Sequence, residues 1–265
     1  MNDTDRTADS GQLRLERPLE HPHVLVVTMD RPPVNALSLA QSRRLRATFL
    51  GLHQDRDIRC VILTGAGERV FCGGADVREL SERTTQIAID RSVVFRETFD
   101  AIRRAPVPVI AAVNGHAPGA GLVLASCCDI ILSVDTALFS LPEIVVGVMG
   151  GSRHALRLVP DKVMRFMALT GQRLEASVVE RLGGVLRVLP RAELLREAFL
   201  LADGIATRSP SAVRLMKEAI NLTEDMPLNE GYRVEQLFTT LSATMPDAKE
   251  AALAFMEKRQ PVWTA

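Results

Sequence analysis

Short apolar runs alternate with helical periods over most of the chain. Residues 13–17 and 24–29 pattern as two strands. Between residues 38 and 53 the apolar positions Leu39, Leu45, Phe49 and Leu52 recur at helical spacing, and Ser38 is placed to cap that helix. Residues 60–63 form a further strand that runs into Thr64-Gly65-Ala66-Gly67. A helix is expected over residues 87–104, where Pro106 and Pro108 prevent it from continuing. Residues 109–113 are apolar throughout, as in a strand covered on both faces. A short helix over 119–128 and a strand over 130–132 follow, and helical patterns dominate from Lys162 onward. Strands followed by crossover helices predict an α/β fold with parallel pairing. From about Arg191 the strand signal ends, and helices are expected over 193–208, 211–222, 228–244 and 248–259.

Composition narrows the partners. The chain has 265 residues, 47% of them hydrophobic, which is enough to bury a sizeable core. Lys plus Arg and Asp plus Glu number 32 each, so the net charge is zero. That balance argues against a nucleic-acid partner and against a polybasic membrane surface. Only Lys162, Lys217, Lys249 and Lys258 are lysines among those 32 cations, so a lysine kept against so many arginines is worth following, Lys258 above all. The cysteines Cys60, Cys72, Cys127 and Cys128 have neither metal-knuckle nor disulfide spacing. They read as reduced, buried thiols of a cytoplasmic protein, and no metal site is expected. Residues 1–12 are polar, read as a disordered leader, and have no secretory h-region. No apolar run approaches the ~20 residues of a membrane span.

Glycines cluster at 65–74, at 115–121 and at 147–151. Gly65-Ala66-Gly67 follows a strand, but Val70 stands where a dinucleotide fingerprint needs its third glycine, and no phosphate-binding P-loop occurs. A different chemistry uses glycine as much. Two backbone N–H groups aimed into one small space can hold an oxyanion, provided that the substrate passes close to the chain. Phe71-Cys72-Gly73-Gly74-Ala75-Asp76-Val77 offers a tight turn. Asn114-Gly115-His116-Ala117-Pro118-Gly119-Ala120-Gly121 offers a loop opening a helix, whose N-terminus favours negative charge. Two tight turns between strands and helices with no chemistry fit the same spacing equally well.

Several motifs in order resemble the crotonase (enoyl-CoA hydratase/isomerase) superfamily. They are Arg31-Pro32 with Asn35-Ala36-Leu37, the two glycine segments, Cys128-Asp129-Ile130, Phe139-Ser140-Leu141-Pro142-Glu143, and Ala254-Phe255 with Glu257-Lys258-Arg259. The resemblance implies a spiral of ββα units over residues 13–190 and a C-terminal helical, trimerising domain over 191–265. It implies an acyl-CoA substrate, no cofactor beyond that coenzyme A, and a homotrimer or dimer of trimers. The thioester oxygen would be held by the N–H groups of Ala75 and Ala120. Ala36, Arg78, Phe255 and Lys258 occupy CoA-contacting positions, the last two reaching from a neighbouring subunit.

The departures from that pattern are informative. Hydratases of the family commonly use two glutamates. The second is present as Glu143, whereas the first is replaced by Val123, which can neither carry a proton nor hold water. Ala120 stands for the central glycine, and Ser152-Arg153-His154 alters the acyl pocket, which Val123 and His154 are expected to line. One carboxylate in an apolar pocket suits a proton shuttle, so Glu143 is expected to act as the single acid/base in a Δ3,Δ2-enoyl-CoA isomerisation. Hydration by Glu143 alone, and acyl-CoA binding without turnover, are the alternatives. His116 and Asp129 read as packing and structural residues, and Asp76 as a helix cap.

Overall fold

The computed structural model describes residues 11–80 and 84–263. The expected leader lies outside them over residues 1–10, and its last residue, Gln12, already belongs to the first strand. In chain order the elements are β1 (Gln12–Glu16), β2 (Val24–Asp30), α1 (Leu39–Gly51), β3 (Cys60–Gly65), α2 (Thr85–Arg103), β4 (Val109–Val113), β5 (Ala117–Pro118), α3 (Ala120–Cys127), β6 (Ile130–Val134) and β7 (Leu138–Ser140). They continue with α4 (Ser152–Ala155), α5 (Asp161–Thr170), β8 (Arg173–Glu175), α6 (Ala176–Arg181), β9 (Arg187–Leu189), α7 (Arg191–Ala206), α8 (Pro210–Thr223), α9 (Leu228–Thr244) and α10 (Pro246–Glu257).

A six-stranded sheet runs β1-β2-β3-β4-β6-β9, parallel except for β1 against β2. A small second sheet, β5-β7-β8, leans beside it. The repeating unit is visible in β4-β5-α3 and again in β6-β7, whose following segment is a 3-10 turn, Pro142–Val146. Continuous apolar runs account for the centre: every residue of β3 and β4 is buried, as central parallel strands require. Helix α7 lies across β2, β3, β4 and β6, with Leu194, Ala198 and Ala202 in the core. Ser38 caps α1 by accepting from the Gln41 N–H at 3.1 Å, as its sequence position predicts.

Helix α8 is fastened to the edge of the sheet where the strands begin. Lys217 is buried there and donates to the Val107 carbonyl at 2.9 Å and to Asp129 at 2.7 Å. Asp129 also accepts from the Val109 N–H, so its role is structural as expected. The lysine built into the fold is therefore Lys217, whereas Lys258 is an exposed residue just after α10. All four cysteines are buried as free thiols, and burial pushes Cys60, Cys72 and Cys127 up to about 12. Among the described residues no helix is long and apolar enough to cross a membrane.

Candidate active site

The two glycine segments leave the sheet at the ends of β3 and β4, on the edge opposite α8, and lie side by side. The Phe71 N–H donates to the His116 carbonyl and the His116 N–H to the Arg69 carbonyl, both at 3.0 Å. Buried asparagines pin this pair of loops. Asn114 Nδ2 donates to the carbonyls of Gly65 at 2.9 Å and Gly67 at 2.7 Å, and its Oδ1 accepts from the Gly65 N–H at 3.1 Å. Asn35 does the same for the first loop, with Nδ2 donating to Ala66 and Val70 carbonyls at 2.9 Å. Both asparagines stand in the motifs of the sequence, but motif order assigns them no task. A buried amide between two backbone turns is the signal that could have found them. Asn114→Ala strands three backbone groups at once, so we expect a stability loss of about 2–3 kcal/mol, measured by denaturant unfolding.

The first turn presents Ala75. Leu37 pairs with it from the flanking residues: the Leu37 N–H donates to the Gly74 carbonyl at 2.8 Å and the Asp76 N–H to the Leu37 carbonyl at 3.0 Å. Strand alternation turns the Ala75 N–H to the other side, where it has no hydrogen-bond partner among the described residues. The second turn presents Ala120, the first residue of α3, whose N–H is also without a partner among the described residues. The turns are in contact. A Cβ on Gly74 would come within 3.2 Å of the Pro118 carbonyl oxygen and 3.8 Å of the Ala120 nitrogen. Two free amides thus stand next to one another at the positive end of a buried helix.

Glu143 faces them. It belongs to the 3-10 turn after β7, opened by Pro142, and its Oε1 lies 2.4 Å from where a Cβ on Gly119 would stand. Gly119 immediately precedes Ala120 and has φ +54 and ψ −119, a conformation that side chains avoid. Glu143 Oε2 is buried with no hydrogen-bond partner among the described residues. Burial pushes the pKa of this carboxyl up, with only a backbone hydrogen bond pulling the other way. Val123, one turn into α3, is buried, and its Cγ2 lies 3.0 Å from the Cβ position of Gly151, which also meets Leu141. The wall on that side is hydrocarbon.

The remaining expected site residues divide into two groups. Ala36 lies in the loop before α1, its carbonyl accepting from Arg31 at 3.2 Å, next to the first turn. Arg78 is an exposed side chain that pairs with Asp76 Oδ2 at 3.0 Å, and Arg31 reaches the same oxygen at 2.6 Å. Burial works to raise the Asp76 pKa, but the hydrogen bonds from Arg78 and Arg31 outweigh it and hold it at about 2. Asp76 also accepts from the Arg78 N–H, which is the capping role its position predicts. His154 is half-buried in α4, its ring edge-on to Phe99 of α2 with centroids 5.7 Å apart. Burial and Arg157 press its pKa down, so the ring is neutral at neutral pH. Phe255 and Lys258 lie at the end of α10, which packs on α8 and α9. The α8 helix against which they pack is tied to the edge of the sheet opposite the glycine turns.

Paired turn amides with a dry carboxylate opposite them are what an acyl-transfer or enolising site requires, and the sequence comparisons agree. The profile of the enoyl-CoA hydratase/isomerase family matches residues 20–265. The chain belongs to this family. It is 36% identical over 250 residues to the carnitinyl-CoA dehydratase of Proteus mirabilis, covering 91% of this chain and 94% of that one. It is 36% identical over 243 residues to a probable mitochondrial enoyl-CoA hydratase of Dictyostelium discoideum, covering 90% and 86%. The crystal structure of an enoyl-CoA hydratase from Bacillus anthracis superimposes with a TM-score of 0.89 at 32% identity, over 95% of this chain and 98% of that one. The crotonase fold expected from the motifs is therefore present, and the chain is an enzyme of the hydratase/isomerase type.

Proposed function

We propose that this enzyme isomerises 3-enoyl-CoA thioesters to their 2-enoyl isomers, with Glu143 as the only acid/base. The observation that carries this is the Glu143 carboxylate, its buried Oε2 without a hydrogen-bond partner among the described residues, beside two free amides, with Val123 rather than a second carboxylate across the pocket. Glu143 takes the proton from C2, and the electron pair moves to the thioester oxygen, where the Ala75 and Ala120 N–H groups stabilise the dienolate. The same proton returns at C4, leaving the double bond between C2 and C3 and the formula unchanged. A pocket walled by Val123, Leu141 and Gly151 withholds the ordered water that hydration needs. Ala36 and Arg78 hold the coenzyme, and Phe255 and Lys258 reach it from a second subunit of a homotrimer or dimer of trimers. The exposed apolar residues Leu228, Tyr232 and Leu237 of α9 and Phe255 and Met256 of α10 offer surface for that assembly.

Hydration by Glu143 alone is the second reading, favoured by the names of the hydratase and dehydratase relatives. Two assays run in parallel decide between them. Conversion of a trans-3-enoyl-CoA without hydration of a trans-2-enoyl-CoA is the expected result. Faster hydration would replace the isomerase reading, and turnover of neither substrate would leave an acyl-CoA-binding role. Val123→Glu adds the missing carboxylate. The second negative charge should lift the Glu143 pKa further, slow the isomerisation and give measurable hydration. No shift in the pH profile would mean that residue 123 does not share the pocket with Glu143.

A further inference from the structure

A cluster of arginines at the edge of the sheet opposite the glycine turns has no part in this chemistry. A cavity of about 10 Å³ lies there, lined by Arg59 ahead of β3, Val107 ahead of β4, Ile205 and Arg208 at the end of α7, and Pro210, Val213 and Arg214 at the start of α8. That volume holds one water-sized occupant. Arg59 Nη1 donates to the Ala206 carbonyl at 2.9 Å, but its Nε is buried with no hydrogen-bond partner among the described residues. Among the described residues Arg214 donates only to main-chain carbonyls, those of Ile58 at 3.2 Å and Asp55 at 3.5 Å. Among the described residues neither Arg59, Arg208 nor Arg214 has a carboxylate within ion-pair distance. The Asp55 carboxylate, which could have served, is bound by Arg17. Burial and the nearby charge of Arg56 press the Arg214 pKa below its ordinary value, and Asp55 offsets them only in part.

Half-buried guanidinium groups without an anion are unfavourable, and carbonyl dipoles offset only part of the lost hydration. Size and charge together specify the missing partner. We infer that Arg59, Arg208 and Arg214 bind one small monovalent anion, of chloride size, that joins α7 and α8 to the starts of β3 and β4. The inference is independent of the catalytic reading, because the cavity and the glycine turns lie at opposite edges of the sheet.

The chain contains one tryptophan, and it stands beside the cluster: Trp263 Nε1 donates to the Thr207 carbonyl at 3.0 Å. Full-length protein would be compared in sodium chloride and sodium gluconate at equal ionic strength. Chloride should raise the thermal midpoint by about 2–4 °C and change Trp263 emission along a saturable curve. Arg59→Gln should abolish both effects. Should that variant not fold, Arg208→Gln, at an exposed arginine, should shift the emission titration to about tenfold higher chloride. The chloride effect should persist unchanged in Glu143→Gln. Bromide-soaked crystals should give an anomalous peak between Arg59 and Arg214. Equal midpoints in the two salts, an unaltered titration in both arginine variants, or a response to inorganic phosphate but not to chloride would overturn the assignment.

Discussion

Glu143→Gln is expected to lower turnover of a 3-enoyl-CoA by about 100- to 10,000-fold while acyl-CoA binding stays close to wild type. The amide fills the same volume beside Gly119 but cannot take a proton. Binding should survive, because the proposed mechanism holds the coenzyme and the thioester oxygen on other residues. The same substitution should make the protein more stable at neutral pH. Burial raises the Glu143 pKa in the folded state, so the folded chain holds this proton more tightly than the unfolded chain. By linkage, that carboxyl costs stability once pH exceeds its unfolded pKa, and the cost disappears in acid. Glutamine does not titrate, so the variant's advantage in denaturation midpoint should appear at neutral pH and shrink as pH falls. The wild-type rate should rise with pH along a limb lying above the ordinary carboxylate value of 4.5. Undiminished turnover by Glu143→Gln would falsify the one-base mechanism, whatever the stability shows.

Gly119→Ala should be nearly as damaging, although residue 119 supplies no chemical group. A methyl there would stand 2.4 Å from Glu143 Oε1, well inside contact distance, so the carboxylate must move. Displacing a base by about an ångström costs on the order of 100-fold in rate. The loss should fall on kcat, with KM little changed. Backbone strain at φ +54 would lower activity as well, and the two causes can be separated. Adding Glu143→Asp shortens the acid and makes room for the methyl. The double variant should therefore exceed the product of the two single effects, recovering part of the lost rate. Strain alone predicts no such recovery, and strictly multiplicative losses would show that the contact does not position the base.

What could be read from the sequence follows from how far each signal extends. β2, β3 and β4 were legible because each carries four or five apolar residues in a row between polar or turn-forming flanks, as a strand covered on both faces does. The helices from α7 to α10 were legible because twelve or more residues establish a period. β5, β7, β8 and β9 are two or three residues long, too short for any alternation, and exist because tertiary neighbours complete their hydrogen bonds. Within the site, the glycine turns and Glu143 were visible through motif order. The contact of Gly119 with Glu143 was not, since it depends on a side chain 24 positions further on meeting the backbone. The arginine cluster was invisible for a related reason. Arg59 and Arg214 come from distant parts of a chain with arginine everywhere, and only folding makes them neighbours. Lysine scarcity pointed to Lys258, whereas the buried lysine at the α8 junction is Lys217.

The amides of Ala75 and Ala120 belong to the main chain, and this has a consequence for evolution and for genetic screens. No single substitution other than to proline deletes an N–H. On the proposed mechanism the two donors are thus shielded from point mutation, and residues 75 and 120 should exchange small side chains without loss of activity. Vulnerability is displaced onto positions that shape the chain path: Gly119, and the asparagines 35 and 114. A saturation screen for lost activity should therefore return a ring of sensitive positions around two tolerant ones. Such a map, drawn without a structure, would trace the outline of the proposed oxyanion pocket by its surroundings.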